Sequence, residues 1–510
     1  MPAKKFSAAL HGIDAYVVEV ESDRGFQARQ EMVILGLPDA AVKESRDRVR
    51  TALENCGYEF PLGQIVTNLA PADTRKEGPS FDLPIALACI QLDGQVVAPD
   101  AGRFMAVGEL ALDGRVRPVR GCLSIALTCR KGGYRGLILP KANADEAAVV
   151  DGLEVCPVET LTDAVGIITG QSDAEPYQLN LEEVFNEASH TDMDFKDVRG
   201  QEQVKRALLV AAAGSHNCLM IGPPGSGKTM LAKRLSTILP HLTMEESLET
   251  TRVHSVAGLL EPGQSLVAVR PFRAPHHTVS DIALIGGGTA LRPGEVSLAH
   301  KGVLFLDELP EFNRKTLEVL RQPLEAGKIT ISRASGTVEY PSEIMLVGAM
   351  NPCPCGFYTD PKKVCDCGDQ RIKNYMGKIS GPLLDRFDIH VEVPAVNYDD
   401  LASEPTGDTS DQFRQRVFNT RQVQAERFDS TARTNALMTG KEVDRFCKVD
   451  EECSSLLRHA MDEMGLSARA YTRILKVSRT IADLDGLADI KLEHLTEAIQ
   501  YRSLDRLLGN

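Results

Sequence analysis

The residues best equipped for chemistry are Gly222-Pro223-Pro224-Gly225-Ser226-Gly227-Lys228-Thr229. They read Gly-x-x-x-x-Gly-Lys-Thr, follow the apolar run Cys218–Ile221 and precede a helix-forming run from Met230 to Leu239. Strand, glycine loop and helix are the context that a phosphate-binding loop requires. Gly222, Gly225 and Gly227 permit backbone angles that point successive N–H groups at one anion. The helix N-terminus adds partial positive charge at the same place. Lys228 is expected to reach the β- and γ-phosphates of ATP, and the Thr229 hydroxyl to ligate Mg²⁺. A second buried-strand pattern, Gly302-Val-Leu-Phe-Leu-Asp-Glu-Leu309, ends in two carboxylates. Asp307 is expected to hold Mg²⁺, and Glu308 to polarise the attacking water.

These groups need a frame. Alternating buried strands and helices between 192 and 396 imply an α/β core with a parallel, doubly wound sheet. Glu343–Asn351 is another buried strand, ending in an amide, and Gly381–Asp388 puts Arg386 just before the strand Ile389–Val393. The core resembles the AAA+ ATPases. That resemblance makes Asn351 a sensor that orients water and makes Arg386 an arginine finger. It also places Asp194–Gln201 against the adenine. A guanidinium fork suits developing phosphate charge, and a finger working across an interface requires a head-to-tail ring.

Cys353-Pro-Cys355-Gly and Cys365-Asp-Cys367-Gly form two Cys-x-Cys pairs. Four thiolates suffice for a closed tetrahedral Zn²⁺ site; reduced loop thiols are the alternative in a reducing compartment. The other eight cysteines are scattered and read as buried apolar residues.

Residues 1–165 form a first domain, with strands expected at Tyr16–Val20, Met32–Gly36 and Ile65–Leu69 and helices at Ala40–Cys56 and Ile85–Leu92. Gly78-Pro-Ser80, Gly108–Pro118 and Leu137–Asn143 resemble the protease domain of the Lon family. Lon carries its catalytic lysine at the position held here by Leu123, which cannot accept a proton. The domain is therefore expected to have an α+β protease fold without protease chemistry, with Ser80 structural. Between Gly114 and Asn143 lie Arg115, Arg117, Arg120, Arg130, Lys131, Arg135 and Lys141 without an acid. This is either a solvated face or a surface for the phosphate backbone. An acidic linker, 166–191, follows.

Residues 397–510 open on acidic Asp399–Asp411. They continue with helical spacing at Phe413–Phe428, Gly440–Phe446, Asp450–Met464, Ala468–Leu484 and Leu492–Tyr501. By the AAA+ resemblance this is a helical lid over the nucleotide, with Arg469, or else Arg473, as a second sensor coupling phosphate state to lid angle.

Arg270–Thr278, Gly286–Gly288, Pro293–His300, Asn351–Cys355 and Gly36–Ser45 resemble the ComM/YifB family of magnesium-chelatase-like AAA+ ATPases over nearly the whole chain. The resemblance implies an ATP-driven hexameric motor, promoting branch migration in homologous recombination and natural transformation. Its partners would be single-stranded and branched DNA, further copies of the chain, and recombination proteins. An AAA+ protein remodeller or chelatase-type chaperone without a DNA substrate is the alternative. Two inserts fit the motor. Val253–Ala299, with His276 and His277, is expected to be a mobile pore-lining loop touching DNA. Lys328–Tyr340 is a hairpin pattern with Arg333 near the tip, contacting phosphate or merely packing between subunits. The adjacent histidines lack an evident third ligand for a metal.

With 510 residues, two to four domains are expected. No apolar run spans a bilayer, and Met1-Pro-Ala-Lys-Lys-Phe lacks a secretory core, so the cytoplasm is the expected location. A net charge of −14 argues against nonspecific coating of nucleic acid, though not against a basic lining on one surface.

Overall fold

The structure is a computed structural model. It describes residues 2–27, 30–98, 102–171, 176–180, 185, 193–261, 263–288, 291–333, 336–358, 363–396 and 407–502. The chain divides into two compact units. The first comprises Met1–Ala188, Met244–Ala268 and Ser332–Tyr340; the second comprises Ser189–Thr243, Val269–Ile331 and Pro341–Asn510. Two stretches of the expected 192–396 core thus belong to the N-terminal unit.

The first unit is built on a seven-stranded sheet. Its strands are β1 (Ala3–His11), β2 (Asp14–Arg24), β3 (Glu31–Leu35), β4 (Gln64–Ala70), β5 (Phe104–Ala106), β6 (Gly136–Pro140) and β7 (Glu154–Val158), in the order β3-β4-β2-β1-β5-β6-β7. β1 and β4 run antiparallel to β2; every other neighbour is parallel. Alternate residues feed two cores. Ala9, Val18, Val20, Ile65 and Leu69 meet the helices Ala40–Asn55 and Asp82–Leu92, while Ala8, Met105, Leu137 and Leu139 meet Cys122–Lys131. β1 escapes a reading by alternation because Lys5 and Ser7 point inward, at 2% and 0% exposure.

Asp39 starts the first helix by accepting from the Val42 N–H at 2.8 Å. Ser80 lies in the short 3-10 turn Pro79–Phe81, its carbonyl accepting from the Gly108 N–H at 2.9 Å, and Leu123 is fully buried. The residues 166–169, expected to begin the linker, instead finish the helix Leu161–Thr169, which a Thr160–Asp163 capping box starts. The rest of that linker lies largely outside the described residues, as does most of Asp399–Asp411.

The first part of the expected insert, 253–268, belongs to this unit. The helix Met244–Ala257 is followed by a segment tied back through Ser247 Oγ to the Val267 carbonyl, 2.8 Å, and through the Val267 N–H to Thr251 Oγ1, 2.9 Å. Leu266 is buried. An apolar side chain with paired backbone groups has no reason to stay in water.

The second unit carries five parallel strands: β8 (Cys218–Ile221), β9 (Phe272–Arg273), β10 (Val303–Leu306), β11 (Met345–Met350) and β12 (Ile389–Glu392). Their order is β9-β10-β11-β8-β12. Every residue of β8, β10 and β11 is buried, as expected of parallel strands covered on both faces. β9 is too short at two residues to leave a periodic signal. The C-terminal helices run Ser410–Phe428, Gly440–Phe446, Glu451–Met464, Ala468–Leu484 and Leu492–Gln500, close to their expected limits. Ser410–Phe428 packs on the helix Glu202–Gly214, where Arg421 and Gln424 donate to the Ala212 and Ala213 carbonyls. Among the described residues no helix is long and apolar enough to cross a membrane.

Candidate nucleotide site

Parallel strands release their chemistry at their C-terminal ends. The glycine loop follows β8, Asp307 and Glu308 follow β10, and Asn351 follows β11, which lies between the two. The loop is seated by backbone bonds from the Gly222 N–H to the Met350 carbonyl, 3.2 Å, and from the Val393 N–H to the Ile221 carbonyl, 2.7 Å. Gly222 is required there: a Cβ would stand 2.1 Å from the Val393 carbonyl oxygen. Gly225 and Gly227 have φ of 77° and 89°, the left-handed region that favours glycine.

Lys228 is buried, and its ammonium donates to the carbonyls of Gly222 and Pro223 at 2.8 and 2.9 Å, and to Asn351 Oδ1 at 3.3 Å. Burial pulls its pKa down, against the opposing pull of Asp307 and Glu308. Thr229 Oγ1 donates to Asp307 Oδ2 at 2.6 Å, so the two groups expected to hold Mg²⁺ converge. These residues fit the ion: both offer hard oxygen atoms beside the loop. Ser226 Oγ faces Lys228 at 3.4 Å, while Pro224 and Thr229 are exposed.

Three further groups stand at this site, and of them only Tyr375 was unnamed by the sequence reading. Gln201, itself left-handed at φ 56°, donates from Nε2 to the carbonyls of Ser226 and Pro394, both at 2.9 Å. Tyr375 lies against the Asn351 backbone, its hydroxyl pushed up to about 12 by burial. His277 places Nδ1 3.5 Å from Glu308 Oε2 and stands edge-on to Phe312. His277, expected on a DNA-facing pore loop, thus stands beside the carboxylate expected to polarise water, with the His276 ring 4.0 Å from its own. The reason is long-range: the chain after Arg270 returns to the sheet as β9, fixed by Arg270 bonds to the Pro240 and Lys301 carbonyls. Glu308 adopts φ 51°, a strained conformation for a glutamate and the kind found at functional sites. Arg333 is exposed at the end of the strand Lys328–Arg333, outside this constellation.

The three arginines lie elsewhere in the unit. Asp388 and Ile389 donate their N–H groups to the Asn217 carbonyl, at the entry end of β8, whereas the glycine loop leaves its exit end. Arg386 is paired with Glu325, and Asn217 Nδ2 donates to the Arg386 carbonyl at 2.9 Å. Arg469 reaches Asp385 at 3.3 Å, and Arg473 donates to the Phe387 carbonyl at 2.9 Å. Arg386, Arg469, Arg473 and Lys476 line one cavity of about 540 Å³. A four-residue strand at about 3.3 Å per residue, roughly 13 Å, separates this end from the phosphate loop. The expected role of the two arginines as sensors of their own chain's phosphate is corrected accordingly: Arg469 and Arg473 sit at the opposite end of the strands from that chain's phosphate loop. Burial and the neighbouring Arg473, Arg469 and Arg321 all lower the proton affinity of Arg386.

Four cations of the basic N-terminal run have acidic partners: Arg115 with Asp113, Arg117 with Glu109, Arg135 with Glu154 and Lys141 with Glu159. Each acid lies just outside the run in sequence, or across a strand pair. That favours the solvated-face reading for these four.

Family models match in three consecutive stretches: "Subunit ChlI of Mg-chelatase" over residues 18–143, "Magnesium chelatase, subunit ChlI" over 194–401, and "Magnesium chelatase, subunit ChlI C-terminal" over 407–502. The chain is 44% identical to Competence protein ComM of Haemophilus influenzae, covering 99% of this chain and 98% of that one. It is 43% identical to protein YifB of Escherichia coli, covering 98% and 97%. It belongs to the ComM/YifB family of magnesium-chelatase-like AAA+ ATPases. Likeness to a true chelatase subunit is weaker: 23% identity to ChlI-2 of Arabidopsis thaliana, over 59% of this chain and 71% of that one.

Proposed function

We propose that this chain is an ATP-hydrolysing, hexameric motor that translocates on single-stranded and branched DNA, driving branch migration during homologous recombination and natural transformation in the cytoplasm. The observation that carries the reading is the division of charge across one sheet. Lys228, Thr229, Asp307, Glu308 and Asn351 meet at its exit edge. Arg386, Arg469 and Arg473 crowd at its entry edge, beside a cavity that could receive a neighbour's phosphates. Each edge is half a site, and head-to-tail packing would join them. Lys228 and the glycine-loop N–H groups would then bind the triphosphate, and Thr229 and Asp307 would hold Mg²⁺. Glu308 would polarise water oriented by Asn351, and a neighbour's guanidiniums would meet the developing charge. The DNA substrate is supported by the similarity to a competence protein.

The test is strand displacement on three-way and four-way junctions. The parent protein with ATP should displace strands, and Lys228→Ala should do neither that nor hydrolysis. A preparation that hydrolyses ATP but displaces nothing would defeat the DNA motor and favour a protein remodeller.

A further inference from the structure

Directly after Asn351 the chain gathers its four clustered cysteines. Sγ of Cys353 lies 3.3 Å from Cys355 and 3.7 Å from Cys365, and Cys355 lies 3.6 Å from Cys365. With Cys367, the four ligand atoms all lie within 4.8 Å of one another. A disulfide needs sulfurs at about 2.05 Å, so none is formed here. Four thiolates at about 2.3 Å around a tetrahedral Zn²⁺ stand roughly 3.8 Å apart, close to the spacing found. They are too close to surround a polynuclear iron–sulfur core. Cys353 is fully buried and the other three are half-buried, so the cluster closes on itself.

The same loop touches the nucleotide site twice. Asn351 accepts from Lys228, and Gly356, at φ 86°, passes so close to the glycine loop that a Cβ would stand 2.4 Å from Pro224 Cδ. A proline ring cannot swing aside as a flexible side chain would. The stretch from Asn351 to Gly356 is therefore a short brace held at both ends against the phosphate loop, with Cys353 and Cys355 between its contacts.

We propose that Cys353, Cys355, Cys365 and Cys367 bind one Zn²⁺ ion, and that the zinc-closed loop clamps the phosphate loop through Gly356 against Pro224. Without the ion, the four crowded thiols are left with weak sulfur contacts and the Gly356 N–H to Cys353 carbonyl bond, 3.0 Å. The brace then loosens, and both Asn351 and the glycine loop lose their fixed positions. The clamp, though not the zinc site, rests on reading the Lys228 loop as an ATP site.

Elemental analysis of the full chain should give one zinc per chain, lost in Cys365→Ser and Cys367→Ser. Stripping zinc with a chelator should weaken binding of a fluorescent ATP analogue by roughly tenfold or more, the scale of a sub-ångström displacement at a site, and restoring Zn²⁺ should recover it. Gly356→Ala should keep its zinc and still bind nucleotide poorly. Lys228→Ala should keep its zinc and lose nucleotide, which separates failure of the clamp from failure of the ATP site. Protein that holds no zinc even when offered Zn²⁺ would overturn the metal site. Zinc-loaded protein whose nucleotide affinity survives both stripping and Gly356→Ala would overturn the clamp.

Discussion

His277 is where a single side chain has most to say about hydrolysis. Its Nδ1 stands within reach of Glu308, whose backbone is already strained, and Phe312 fixes the ring from the side. On the proposed mechanism we read it as a positioning residue that sets the angle of the carboxylate proposed to polarise water. His277→Ala should lower kcat for ATP by on the order of ten- to a hundredfold, the cost of a misplaced catalytic group, while KM barely moves. His277→Gln, which can still donate a hydrogen bond, should recover most of the rate. Steady-state kinetics decide it: an unchanged kcat in the alanine variant would make the contact incidental. His276, one residue earlier, pairs its Nδ1 with the Thr278 hydroxyl at 2.9 Å.

At the scale of elements, the C-terminal helices are held by charge as well as by packing. Asp483, 1% exposed on the helix Ala468–Leu484, gathers Arg427 from the helix Ser410–Phe428, Arg479 from its own helix, and Asn435 Nδ2 at 2.8 Å. One carboxylate therefore orders three segments. Removing its charge leaves the buried Arg479 and the half-buried Arg427 without this counter-ion, a loss of about 3–5 kcal/mol. Asp483→Asn should lower the denaturation midpoint of this unit in urea, followed by circular dichroism. A midpoint equal to that of the parent would mean that the packed helices hold without the ion network. Much at this scale was legible in the sequence. The helices Gly440–Phe446 and Ala468–Leu484 begin and end where periodicity put them, because an amphipathic stripe and a cap are local properties. β1 and β9 were not legible. Inward-facing Lys5 and Ser7 hide the alternation of β1, and β9 has two residues and exists only by pairing with β10.

For the whole molecule, the decisive claim is that neighbouring copies share each site. Arg386→Ala should cost about 10³-fold in kcat, as loss of an arginine finger does, and Lys228→Ala should be inactive. Mixed in equal amounts, the two variants should regain activity, because about a quarter of random head-to-tail junctions would pair an intact Lys228 with an intact Arg386. A mixture that stays as inactive as its components, under conditions where subunits exchange, would sink the shared site.

The sequence by itself determined which groups stand together along the chain: the glycine loop, the two carboxylates after β10, the amide after β11 and the four thiols are all written as spacing within a few residues. The tertiary structure decided which groups face one another. It set Arg386, Arg469 and Arg473 at the far edge of the sheet from their own phosphate loop, and brought His277 to Glu308. It also packed Met244–Ala268 with the N-terminal unit and paired four cations of the basic run with acids outside it. Local pattern fixes what a segment can do. Which end of a strand it occupies, and which charge stands opposite, depend on pairings between residues far apart in the chain, and spacing does not record them.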